Sequence, residues 1–224
     1  MILSWLIFPL LTYAATQFAH DPPGALRQGL SKNVISGYGR KLQATVNPVE
    51  NSTYAYEARY IDVPVDHFQD SPRYEPHVHD TFPLRYYYDA KHYLPGGPVI
   101  VLASGEASIL ERRPYLAKGI INILAEATNG IGVLLEHRFY GDSIPTADFS
   151  TESLRFLTTE QAVNDAAWFA QNVAFPNVNV TAGKGGTPWI IYGGSYAGAF
   201  AAIARKTFPD VFWGTYQLQS TSLF

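Results

Sequence analysis

The sequence predicts an α/β domain in which a mostly parallel sheet carries helices on both faces. From Pro98 onward, short apolar runs of strand length alternate with longer Ala-rich or amphipathic runs of helix length. Strand-helix alternation of this kind builds a parallel sheet, because each crossover returns through a helix. A content of 47% hydrophobic and 16% charged residues over 224 positions supplies one sizeable core and is short for two.

The elements follow in order. Ala58–Val65 reads as a strand, and after a polar loop Phe82–Tyr88 reads as a second, antiparallel to the first. Pro98–Ala103 is a buried strand, Tyr115–Ala127 a helix, and Gly130–Leu135 a strand again. A helix over Glu160–Ala174 begins with Thr158-Thr159-Glu160-Gln161. These residues suit a capping box, with Thr158 accepting from the third helical amide and the Gln161 side chain reaching back. Trp189–Tyr192 is a strand, Tyr196–Lys206 a helix ending in two cations, and Val211–Leu218 the last strand.

Gly193-Gly194-Ser195-Tyr196-Ala197-Gly198 lies at the corner between a strand and a helix. Glycines permit a tight turn there, so the Ser195 hydroxyl projects above the sheet edge as a nucleophile would. The Tyr196 amide, at the helix start, is placed to donate to a developing oxyanion, with the helix dipole adding favourable potential. Ala197 stands where the usual Gly-x-Ser-x-Gly elbow has its second glycine. A structural turn is the competing reading, and the flanking strand and helix favour the elbow.

Two more loops leave the carboxyl ends of strands, where reactive groups gather in such sheets. Ser104-Gly105-Glu106-Ala107-Ser108 occupies the location that supplies the second oxyanion donor in α/β-hydrolases, here the Gly105 amide; an ordinary turn is the equal alternative. Glu106 either anchors a substrate amine or solvates the loop. Glu136-His137-Arg138 can be read as acid-base machinery, but such runs more often hold a loop through local ion pairs. His77-Val78-His79 lacks a third ligand, so solvated histidines are expected there and no metal.

The net charge of −3, without a basic run, argues against a nucleic-acid partner. Residues 1–15 hold a short apolar stretch followed by Tyr13-Ala14-Ala15, which reads as a cleaved signal peptide rather than a membrane span. Residues 16–56 read as a propeptide-like or surface-wrapping segment. Asn51-Ser52-Thr53 and Asn179-Val180-Thr181 are glycosylation sequons consistent with export. The absence of cysteine removes disulfides, thiol catalysis and thiolate metal sites.

Taken together, Val65-Asp66-His67-Phe68, the aromatic strand Phe82–Tyr88, Gly96-Gly97-Pro98, Ser104-Gly105-Glu106, Glu136–Gly141, Phe156–Ala162 and Gly193–Tyr196 resemble, in order, the S28 serine peptidases. The resemblance runs from about residue 57 to residue 224. It implies an α/β-hydrolase peptidase, secreted or lysosomal/vacuolar, that cleaves peptides after proline and needs no metal or organic cofactor. By position Ser195 matches the nucleophile and Tyr196 the following oxyanion donor. Ser104 and Ala107 depart from the Gly-Asn-Glu-Gly more frequent in the family.

After Ser195 there is one acid, Asp210, and no histidine, whereas the order in α/β-hydrolases is Ser, then Asp or Glu, then His. Residues 57–224 are therefore expected to form a partial hydrolase domain without cap or triad partners, weakly active or inactive alone. Three alternatives stay open: another α/β-hydrolase of serine carboxypeptidase or lipase type, a catalytically dead secreted binder of peptides or partners, and a sequence without function. The oligomeric state is left open.

Overall fold

In the third strand of the sheet, Val99, Val101 and Ala103 join one hydrophobic cluster and Ile100 and Leu102 another, and all five are buried. A strand buried on both faces must lie inside a sheet covered on both sides. The structure, a computed structural model, describes residues 55–218. The signal peptide read over residues 1–15, Asn51 and nearly all of the segment 16–56 lie outside the described residues.

Six strands form one sheet: β1 (Arg59–Pro64), β2 (Thr81–Asp89), β3 (Val99–Ala103), β4 (Ile131–Leu135), β5 (Trp189–Gly194) and β6 (Phe212–Leu218). Their order is β1-β2-β4-β3-β5-β6. β1 pairs antiparallel with β2, and β2 with β4; β4, β3, β5 and β6 are mutually parallel. The helices are α1 (Arg113–Ala117), α2 (Ile120–Thr128), α3 (Thr159–Asn172) and α4 (Tyr196–Thr207). Ala162, Val163, Ala166 and Phe169 of α3 and Phe200, Ala201 and Ala204 of α4 cover the face bearing Val99 and Val101. Leu116 of α1 and Ile121 of α2 cover the face bearing Ile100 and Leu102. No helix among the described residues is long and apolar enough to cross a membrane.

Three local expectations change. The single helix over Tyr115–Ala127 is two, because the Lys118 and Gly119 amides both turn back to the Pro114 carbonyl, at 3.1 and 3.0 Å, and close the first helix there. The helix read to Ala174 ends at Asn172, where Val173 becomes extended. The capping box is half formed. Thr158 accepts from the Gln161 amide, but the Gln161 side chain does not return to it. Its Oε1 instead accepts from the His67 amide at 2.9 Å and its Nε2 donates to Asp66 at 2.8 Å. Gln161 is fully buried, so its amide is needed more by the buried Asp66 than by the exposed end of a helix.

That demand belongs to a polar spine around Arg138, which is 1% exposed. Its Nε and Nη2 donate to Asp165 at 2.6 and 2.5 Å, its Nη1 to the carbonyls of Val65 and Phe156, and its Nη2 also to that of Pro64. All five guanidinium donors thus find acceptors. Asp165 also meets His67 Nε2 at 2.7 Å, and Asp66 meets His77 Nδ1 at 2.8 Å. Glu136 forms a second buried pair, bidentate with Arg85 at 3.0 and 2.7 Å. It also accepts from the Ile109 and Asp142 amides and the Ser143 hydroxyl. The Glu136-His137-Arg138 loop is thus anchored by its two charged members.

Removing one member of such a pair leaves the other charge buried and uncompensated. Asp165→Asn is therefore expected to lower stability by about 3–5 kcal/mol, read from the urea midpoint. Acid acts through Asp66. Burial pushes its carboxyl up, but hydrogen bonds from His77, the Phe68 amide and Gln161 outweigh burial and hold it below the ordinary carboxylate range. A carboxyl lowered on folding adds stability above its unfolded value and loses it as pH falls through the folded one. Denaturant titrations should show stability declining below about pH 4, and Asp66→Asn should flatten that decline.

Candidate active site

The carboxyl ends of the neighbouring parallel strands β4, β3 and β5 lead into Glu136-His137, Ser104-Gly105 and Ser195 respectively. Ser195 is exposed and has φ 55 and ψ −127, outside the regions that L-residues favour. The neighbouring sequence makes this corner possible. A Cβ on Gly193 would lie 2.0 Å from the Ala197 carbonyl oxygen, so only glycine lets α4 start this close to the end of β5. Backbone bonds then hold the strained residue: the Ser195 amide donates to the Leu218 carbonyl at 3.0 Å, and the Ser195 carbonyl accepts from Gly198 and Ala199 at 3.0 and 3.2 Å. Strain of this kind persists where the surroundings over-determine it, and it clusters at functional sites.

Tyr196 is the first residue of α4, and its amide bonds to no acceptor among the described residues. The same holds for the amide of Gly105, a buried residue with φ 71. A Cβ built on Gly105 would stand 3.5 Å from the Ala197 methyl, so the loop after β3 lies directly on the first turn of α4. Ala197, the departure from the usual elbow, is buried and fills that contact. Gly105, His137, Tyr196, Ala197 and Phe200 line one cavity of about 10 Å³, the size of a single water. What the arrangement offers chemically is an exposed hydroxyl beside a helix N-terminus with free amides, suited to a developing anion.

Glu106 is exposed and enters no hydrogen bond or ion pair among the described residues. Burial raises the Tyr196 and Tyr140 hydroxyls, and the Glu106 carboxylate adds to both. Its field therefore reaches the aromatic wall of the site. Asn179 is exposed in the loop before β5, and its carbonyl accepts from the Tyr93 hydroxyl at 3.3 Å.

The Ser195 hydroxyl has no hydrogen-bond partner among the described residues. His67 is engaged with Asp165, His77 with Asp66 and His92 with Asn122, while His79 is exposed. His77 is thus a bound residue and not the solvated one expected, because the buried Asp66 needs its donor. No metal-holding group of His, Cys, Asp and Glu occurs among the described residues.

The loop-holding role expected for Glu136-His137-Arg138 fits its two charged members, but His137 turns toward Tyr196: its Nδ1 bonds the Arg138 carbonyl at 2.8 Å and its Nε2 meets the Tyr196 hydroxyl at 3.1 Å. Its place directly after a parallel strand is the signal that could have found it. Burial holds its pKa below the ordinary histidine value, against the opposing pull of the Arg138 carbonyl and Asp165.

The sequence pattern of serine carboxypeptidase S28 matches residues 64–218. A probable extracellular serine carboxypeptidase of Arthroderma benhamiae is 54% identical over 175 residues, 77% of this chain and 24% of that protein. The thymus-specific serine protease of Homo sapiens is 35% identical over 138 residues, 60% of this chain and 25% of that protein. The chain thus spans about a quarter of the length of these relatives. Among solved structures, a probable hydrolytic enzyme of Pseudomonas aeruginosa aligns with a TM-score of 0.50 at 13% identity, covering 76% of this chain and 44% of its own. The mostly parallel sheet, with the Ser195 corner leaving the end of β5 for α4, makes the fold an α/β-hydrolase core.

The strain at Ser195 has a thermodynamic signature. Ser195→Gly relaxes a positive φ that Ser195→Ala retains, so thermal denaturation should find the glycine variant more stable than the alanine variant by about 1 kcal/mol. Equal melting temperatures would mean that the corner is unstrained.

Proposed function

The chain belongs to the serine carboxypeptidase S28 family, and from that premise we propose that Ser195 is the nucleophile of a peptidase that cleaves after proline through an acyl-enzyme. The observation that carries this is the exposed, strained Ser195 beside two free amides, those of Tyr196 and Gly105.

Ser195 Oγ attacks the carbonyl carbon of the scissile bond while its proton passes to a histidine base. In α/β-hydrolases that base follows the serine and the acid in chain order. The Tyr196 and Gly105 amides hold the oxyanion; the C–N bond breaks as the leaving amine takes the proton. Water then attacks the acyl-serine and releases the acid, regenerating the hydroxyl. Proline preference rests on the family resemblance. Glu106, exposed and unpaired among the described residues, suits a contact with a cationic amine of the peptide. Export fits the sequons at Asn51 and Asn179, the second of them exposed, and the name of the Arthroderma relative.

A fluorophosphonate probe tests the nucleophile. Slow labelling of the chain, at the residual level that oxyanion donors give without a histidine base, is expected at Ser195 and is abolished in Ser195→Ala; labelling that survives this substitution overturns the assignment. A chain that takes no label but binds proline-containing peptides in calorimetry would be a binder instead. Where hydrolysis is measurable, fluorogenic peptides with proline before the scissile bond should exceed their alanine counterparts in kcat/KM by at least ~10-fold, a pocket-sized discrimination.

A further inference from the structure

Tyr196 sits between two groups that fix its hydroxyl. His137 Nε2 lies 3.1 Å from it and Thr159 Oγ1 3.2 Å. The direction of these bonds follows from the far side of the imidazole. His137 Nδ1 is 2.8 Å from the Arg138 carbonyl oxygen, and a carbonyl can only accept, so the proton is on Nδ1. His137 is buried, which favours the neutral ring and leaves a lone pair on Nε2. Tyr196 therefore donates to His137, and the Thr159 hydroxyl donates to Tyr196. The rings reinforce the arrangement: His137 lies 5.6 Å from Tyr196 and 6.0 Å from Phe200, and Tyr196 lies 6.4 Å from Phe200.

The far ends of these bonds belong to other parts of the fold. The carbonyl that receives the His137 proton belongs to Arg138, whose five donors are all engaged in the core. Thr159 is the first residue of α3. The side chain of the residue after Ser195 is thereby tied to the loop after β4 and to the start of α3, neither adjacent in sequence.

We propose that His137 is a positioning residue for the oxyanion hole: through the Tyr196 hydroxyl it holds the first turn of α4, and with it the Tyr196 amide, against the strained Ser195. The role rests on the peptidase reading of Ser195. It explains why a neutral, buried histidine stands at the end of β4, where its ring both donates to the Arg138 carbonyl and accepts from the Tyr196 hydroxyl. A strained φ at Ser195 needs surroundings that over-determine it, and this bond supplies one constraint from outside the elbow.

The experiment compares fluorophosphonate labelling of the wild-type chain with Tyr196→Phe, His137→Leu and His137→Gln, whose side-chain oxygen can still accept from Tyr196. Melting temperatures are taken alongside. Tyr196→Phe and His137→Leu are expected to lower the maximal labelling rate ~10- to 100-fold, within the range for a disturbed oxyanion donor, without changing the half-saturating probe concentration. His137→Gln should recover most of that rate at an unchanged melting temperature. The proposal is overturned if Tyr196→Phe labels at the wild-type rate, or if the losses follow melting temperature and Gln does not rescue. A wild-type chain unlabelled at Ser195 instead removes the peptidase reading on which the role stands. Imidazole nitrogen NMR gives a readout independent of labelling. A protonated Nδ1 and an accepting Nε2 are expected, with the Nε2 resonance moving in Tyr196→Phe; a protonated Nε2 overturns the proposal.

Discussion

The Arg138 guanidinium is the interaction on which the rest of the site depends. A charge this deeply buried survives only if its donors are satisfied, and Asp165 with the carbonyls of Pro64, Val65 and Phe156 satisfies all five. Those acceptors come from the end of β1, the segment before α3, and α3 itself. One side chain therefore locks the loop after β4 to three other parts of the fold. The Arg138 carbonyl in turn orients His137, which reaches Tyr196.

The Ser195 corner shows the same economy from the other side. Its strain is local, set by the backbone of Ser195 and by the close approach that Gly193 permits. Its restraint is distributed: the Leu218 carbonyl holds the Ser195 amide, Ala197 packs against Gly105, and the Tyr196 hydroxyl is held by His137 and Thr159. Strain kept in place by several weak contacts gives an exposed hydroxyl with a defined direction, which a flexible glycine loop would not.

Much of the architecture was legible before any contact was known. The strands over Pro98–Ala103, Gly130–Leu135 and Trp189–Tyr192 declare themselves by apolar runs, and the elbow by glycines flanked by a strand and a helix. Local rules give way where a distant buried partner outcompetes them. Gln161 has the right spacing to close a capping box, but buried Asp66 and the His67 amide, nearly a hundred residues upstream, take its side chain. His77 looked solvated until the same Asp66 claimed it.

The sequence by itself determined the succession of strands, the strand-to-helix corner at Ser195 and the small-residue loop after β3, because those features are written in periodicity and in residues a few positions apart, and its ordered motifs carried the family resemblance. Only the tertiary structure decided what the charged and aromatic residues between them do. Glu136 and Arg138 turn inward to buried ion pairs while His137, between them, turns to Tyr196. The reason is physical: partners 27 to 59 positions apart are chosen by which donors and acceptors are buried together, and no local pattern encodes that match.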